Sequence, residues 1–308
     1  MKKKAIFTVV LLFLFAGLTL GATDQSDWEL MHSKTDELLY AVHGTSGGNV
    51  YAVGKNGTIL HYNGLRWKQM ESSVENDLYA VWALSAQDVY AVGQNGIILH
   101  YNGTEWNREN NSVGLSWYSV WGTSSQNVFV AGESGVILNY NGSSWSKMES
   151  HTDESLRSVR GTSAQNIFAA GSGGIIHYDG AKWRSIREGS FGSFRSLWLS
   201  EESSIFAAGE NGKILHYDGF EWNFMNSGVD APLYSIWGSS TENVFAVGRD
   251  GKVLNYDGHQ WRQMRSGTFR YLYDVWGSSG QEVFAVGDNG VILRYREEFN
   301  GGGCSLKM

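Results

Sequence analysis

The sequence predicts an all-β fold, a seven-bladed β-propeller of four-stranded antiparallel blades whose ring is closed by the N-terminal strand. Three periodic features carry that expectation, and repeats are read first because they decide the architecture. A glycine recurs at Gly54, Gly93, Gly132, Gly171, Gly209, Gly248 and Gly287, 39 residues apart except for one interval of 38. Tyrosines keep step with it at Tyr62, Tyr101, Tyr140, Tyr178, Tyr217, Tyr256 and Tyr295. Tryptophans do so too, but out of phase: Trp28, Trp67, Trp106, Trp145, Trp183, Trp222 and Trp261 begin one period before the first complete repeat, and Asn300 stands where the last is due. The strand lacking at the end is thus supplied at the beginning, which closes a ring and removes a sheet edge; an open solenoid has no use for that permutation.

Each repeat reads as four short strands, as in Leu233–Trp237, Val244–Gly248, Val253–Tyr256 and a segment around Trp261 and Met264, all rich in β-branched and aromatic residues. Between the second and third strands stand Asn56-Gly57, Asn95-Gly96 and Asn289-Gly290, which tolerate the positive φ of tight hairpins. Asn63-Gly64, Asn102-Gly103, Asp179-Gly180 and Asp257-Gly258 are expected to do the same before the fourth strand. Nothing after the first residues reads as a helix.

The ends set the boundaries. Residues 1–22 carry Lys2, Lys3 and Lys4, an apolar run from Ala5 to Ala16, and small residues at Gly21 and Ala22, the pattern of a secretory signal peptide. The propeller is assigned to 23–296 and a flexible glycine-rich tail to 297–308. A secreted, periplasmic or cell-surface location follows as the expectation, with no integral membrane segment once the leader is removed. Loss of the three leader lysines takes the net charge from -7 to -10, which argues against a sequence-independent grip on nucleic acid. The lone Cys304 cannot staple the chain, so stability rests on packing and ring closure. Gly301-Gly302-Gly303-Cys304 resembles the start of a bacterial sorting tag without its hydrophobic helix and basic end; a plain tail with an incidental thiol is the leading reading.

The pattern Val-Phe-Ala-Val-Gly-x-x-Gly-x-Val-Leu-x-Tyr-Asp-Gly-x-x-Trp at Val244 to Trp261 resembles bacterial propellers of the photosystem II assembly factor type and, more loosely, the Asp-box (BNR) repeats of sialidase-like propellers. The Asp-box serine is absent, since Asn255 and Tyr256 precede Asp257-Gly258, so the resemblance does not imply sialidase activity. Members of this broad class include assembly factors, adhesins, glycan binders and enzymes, so fold alone says little about chemistry.

The fourth-strand tryptophans recur at one phase and are assigned to the core between blades, each worth roughly 4–6 kcal/mol gross when buried. The first strands are expected to line the channel. Their early position reads Tyr40, Tyr79, Tyr118, Arg157, Arg195, Tyr234 and Tyr273, on the side of the variable loops between blades, and these seven form the candidate binding set. Two readings of Arg157 and Arg195 stand: capture of an anionic or aromatic group such as a peptide carboxylate or acidic sugar, or stacking on neighbouring aromatics and pairing with Glu154 and Glu188. Three residues later come His43, Trp82, Trp121, Arg160, Trp198, Trp237 and Trp276. His43 replaces a Trp and Asp274 an Ala or Ser beside the closure, which suggests a hydrogen-bonded seam rather than a catalytic pair, since no activated Ser or Cys accompanies them.

No catalytic residue, cofactor or metal site is expected; His61, His100, His177 and His216 are spread one per blade rather than clustered. The leading function is a non-enzymatic, monomeric binding or scaffold propeller with a protein or peptide partner. A multivalent lectin using Trp and Asn or Asp between blades is the alternative, and a sialidase-like glycosidase, which needs three arginines converging on a carboxylate, stands behind both.

Overall fold

The computed structural model describes residues 26–186, 192–200 and 204–297. The leader, Glu188, most of the loop after Trp183 and the tail with Cys304 lie outside them. Seven four-stranded antiparallel sheets form the ring, and the described residues hold no helix beyond single 3-10 turns. Blades 1 to 6 run from Leu39 to Met70, Leu78 to Arg108, Trp117 to Met148, Leu156 to Ser185, Phe194 to Met225 and Leu233 to Met264. Blade 7 runs from Leu272 to Arg296 and takes its outermost strand, Glu29–Met31, from the other end of the chain, with Leu30 opposite Leu293. Trp28 then fills the slot that its phase assigned: it is 4% exposed and meets the edge of Phe245 at 6.1 Å. No helix among the described residues is long and apolar enough to cross a membrane.

The second strand of each blade lies between two neighbouring blades, so both its faces are covered, and it reads as an unbroken apolar run rather than an alternation. Val244, Phe245, Ala246 and Val247 are all buried. In the turn that follows, Asn56 at φ 53, ψ 40 and Gly57 at φ 66 adopt the left-handed conformation that Asn-Gly predicts, and a Cβ at Gly57 would collide with the Val74 carbonyl. The turn before the fourth strand differs from expectation. Only its glycine, as at Gly64 (φ 87), takes positive φ, while Asn63 uses its side-chain oxygen to accept the N–H groups of Leu65 and Arg66, each at 3.1 Å.

That turn explains the Tyr-to-Trp spacing. The Tyr62 hydroxyl donates to the Gly64 carbonyl at 2.9 Å, and its ring lies 5.2 Å from that of Trp67 on the adjacent strand. Tyr101, Tyr178, Tyr217 and Tyr256 repeat the bond to Gly103, Gly180, Gly219 and Gly258. One side chain thus caps the turn and packs the indole five residues on.

Around the channel, blades interlock through a knob and a gap. Trp276 of blade 7 projects onto Gly44 of blade 1, where a Cβ would come within 2.9 Å of the indole; Trp121 meets Gly161 at 2.6 Å and Trp198 meets Gly238 at 2.9 Å in the same sense. Trp237 packs likewise on Gly277, and the Trp82 indole N–H donates to the Gly122 carbonyl at 3.1 Å. Where the knob is not Trp, the next blade does not carry Gly: His43 faces Ala83 and Arg160 precedes a blade with Leu199. A second stitch comes from the small polar residue two before the knob. Ser119, Ser158 and Ser196 accept the backbone N–H of Val159, Leu197 and Ile236 in the following blade at 3.0, 3.1 and 3.2 Å.

Candidate functional site

The first strands do line the channel, and the early position forms a contiguous rim. Tyr40 lies 5.1 Å from Tyr79 and 5.8 Å from Tyr273; Tyr79 lies 5.7 Å from Tyr118, and Tyr234 stacks on Tyr273 at 5.3 Å. The two arginines continue the ring by stacking. Arg157 sits 4.4 Å over Tyr118 and Arg195 5.1 Å over Tyr234.

Their ion pairing differs from expectation. Arg195 pairs with Glu210 at 2.6 Å, while Glu154 accepts instead from the Ser172 hydroxyl. Arg157, exposed, makes no ion pair or hydrogen bond with any described residue. The Ser116 N–H and, behind it, the Arg157 charge hold the Glu133 carboxyl below the usual range.

Sequence reasoning missed the acids of the rim. Glu133, Glu210 and Asp288 each follow the recurrent glycine and reach back to the early position of their own blade, 15 residues earlier. Tyr118 donates to Glu133 at 3.1 Å, and burial, then the nearby Asp288 carboxylate, raise the Tyr273 pKa. Burial first, then the nearby Asp77 carboxylate, push the Tyr40 phenol up to about 12. The fixed offset of 15 is the signal that could have revealed them. The mouth is therefore bipolar, with an acidic sector near Tyr40 and Tyr273 and an exposed guanidinium on blade 4.

Below the rim, the seam at the closure is present and involves Asp274 alone. Its carboxylate accepts from Val42 N at 2.9 Å, the Ser235 hydroxyl at 2.6 Å and Val275 N at 3.0 Å, tying blade 7 to blades 1 and 6. His43 instead accepts the Ala83 N–H on Nδ1 at 3.1 Å, which leaves its proton on Nε2. Burial, then Arg160, lower the His43 pKa, so the ring is neutral. The two residues are not a hydrogen-bonded pair.

Histidines His61 and His177 bond to Asn49 and Asn166 within their own blades, and no cluster of metal-binding side chains occurs among the described residues. The features that a lectin would use are committed elsewhere: Trp67, Trp106 and Trp183 are buried, and Asn63, Asn102 and Asn141 spend their oxygens on turn amides.

No family model matches the sequence, and no curated protein sequence matches it. Solved structures do. A structure described as YCF48 bound to D1 peptide superposes with a TM-score of 0.75 at 15% identity, covering 89% of this chain and 96% of that one. The WD40 β-propeller domain of Doa1 gives 0.72 at 12% identity over 88% and 96%, and streptogramin B lyase 0.76 at 11% over 87% and 96%. Sequence rhythm and superposition agree: the chain is a seven-bladed β-propeller, similar in fold to YCF48 and to other propellers.

Proposed function

We propose that the protein is a non-enzymatic binding propeller that captures a peptide or protein segment at its tyrosine- and arginine-lined rim, outside the cytoplasm as the leader suggests. Arg157 carries the reading. It is held on Tyr118, exposed, and without an ion pair among the described residues, so a peptide carboxylate can take its guanidinium without displacing a described internal bond. The surrounding tyrosines offer flat, pre-packed apolar faces, and the acids behind them suit a basic or amino group elsewhere on the same ligand. The similar propeller with D1 peptide supports peptide binding as a use of this fold.

The test is selection of binders from a peptide array with the purified full chain. The best sequence is then synthesised as free acid and as amide, and affinity is read by fluorescence anisotropy. Arg157→Glu is expected to weaken the free acid by about tenfold or more, worth about 1.4 kcal/mol, and to affect the amide less. Equal affinity of Arg157→Glu and the unsubstituted protein for the free acid would overturn the proposal.

A further inference from the structure

Deeper in the channel, at the level of the tryptophan knobs, lies a cavity of about 240 Å³. Five indoles line it, with Trp121 and Trp276 almost fully buried. Trp198 and Leu199 also line a second groove, of about 370 Å³, along Ser239, Ser240 and Thr241 at the far end of the first strand of blade 6.

Three titratable groups line this chamber beside the Ser235 hydroxyl: His43, Arg160 and Asp274. The Nη1 atom of Arg160 donates to the Ser119 hydroxyl and to the carbonyls of Val120 and Val159, at 2.8 to 3.3 Å. Its Nε and Nη2 atoms make no hydrogen bond to a described residue; the guanidinium lies 5.4 Å over the Trp82 ring, and Arg160 and His43 both line the cavity. Asp274 stands on the other side, near enough to act on the Arg160 charge yet not in an ion pair with it. The guanidinium and the carboxylate are each hydrogen-bonded to protein but not to each other, so both signs of charge line one cavity.

We propose that this chamber binds a small zwitterion, an ammonium or quaternary ammonium group joined to a carboxylate. The donors of Arg160 and His43 take the carboxylate. The indole faces and Asp274 take the cation, since indoles attract ammonium groups and the carboxylate supplies the opposite charge. A simple anion would meet Asp274 and a simple cation would meet Arg160, so the paired charges select for both signs in one molecule. The volume is that of about eight waters, which suits a compact molecule such as a betaine or amino acid. This site is independent of the rim: no residue is shared between them.

The experiment titrates the purified full chain with glycine betaine, L-proline and γ-aminobutyrate, and with tetramethylammonium and acetate as the two half-ligands, by calorimetry and tryptophan emission. At least one zwitterion is expected to bind at about 1 mM or tighter, and both half-ligands about tenfold more weakly or worse. Arg160→Gln and Asp274→Asn should each weaken the zwitterion by about tenfold, and Arg157→Glu should leave it unchanged, which separates this site from the rim. Binding by acetate or tetramethylammonium equal to the best zwitterion, no binding by any of the three, or full binding in folded Arg160→Gln would overturn the assignment. Should Asp274→Asn fail to fold, the ligand series on the unsubstituted protein still decides.

Discussion

At the rim of the channel, Tyr40, Tyr79 and Tyr118 touch ring to ring with their hydroxyl ends turned toward acids and solvent. Three residues along the first strands, Trp121 and Trp276 are driven into the neighbouring blade, each against a glycine that leaves no room for a Cβ. Both levels repeat once per blade, yet only the lower one couples the identity of one residue to that of another. Replacing Tyr by Arg at the rim changes surface chemistry and asks nothing of the next blade: Arg157 and Arg195 stack in the same contacts. Replacing Trp by His or Arg lower down comes with Ala83 or Leu199 in place of glycine. Variation is thus cheap at the mouth and structurally compensated in the chamber.

The comparison breaks most visibly on large-to-small substitution. Trp121→Ala removes a knob that is 5% exposed and should cost about 3–5 kcal/mol, whereas Tyr79→Ala, half-buried at the rim, should cost about 1 kcal/mol. Urea denaturation with common slopes reads the difference directly. Equal losses would mean that the rim is as much a structural ring as the indoles.

A sharper version uses the gap rather than the knob. Gly161→Ala places a Cβ 2.6 Å from the Trp121 indole and 2.8 Å from the Asn166 carbonyl, and should cost about 1–3 kcal/mol by overpacking. Adding Trp121→His to it recreates the His43–Ala83 combination. The double variant should then be more stable than the sum of the two single losses predicts, by about 0.5–3 kcal/mol of coupling. Strict additivity would show that the backbone carbonyl, and not the indole, sets the penalty.

Which parts of this were legible in the sequence follows from periodicity. The glycine, tyrosine and tryptophan phases determine blade number and closure, because a ring repeats each local environment, and Trp28 sits where its phase requires. The early first-strand positions were legible as a rim for the same reason. The acids were not, because Glu133, Glu210 and Asp288 lie in a turn whose residue varies from blade to blade, between Lys55 and Arg249 among others. Pairing of Arg195 with Glu210 depends on the hairpin folding that position back over its own strand. The chamber was hidden more deeply. His43 and Asp274 stood out as departures, but the sequence does not show that they and Arg160, from three different blades, line one cavity.

The smallest expected effect tests the rim acids through pH. Tyr40 ionises near pH 10 in the unfolded chain and at about 12 in the folded protein, with burial the main cause and Asp77 the next. Because the unfolded state loses its proton first, this residue's contribution to stability is complete below pH 10. It declines as pH rises from 10 toward 12, and falls no further once the folded state also ionises. Tyr273 adds a decline of the same sign, by burial and by Asp288. Tyr40→Phe cannot ionise, so its melting temperature should fall less steeply than that of the unsubstituted protein between pH 10 and 12. Added salt should reduce only the part of the difference that comes from Asp77, since screening acts on the charge and not on burial. Parallel pH profiles for the two proteins would mean that solvent reaches the Tyr40 hydroxyl freely. The rim would then be an open aromatic surface rather than a ring fastened to its acids.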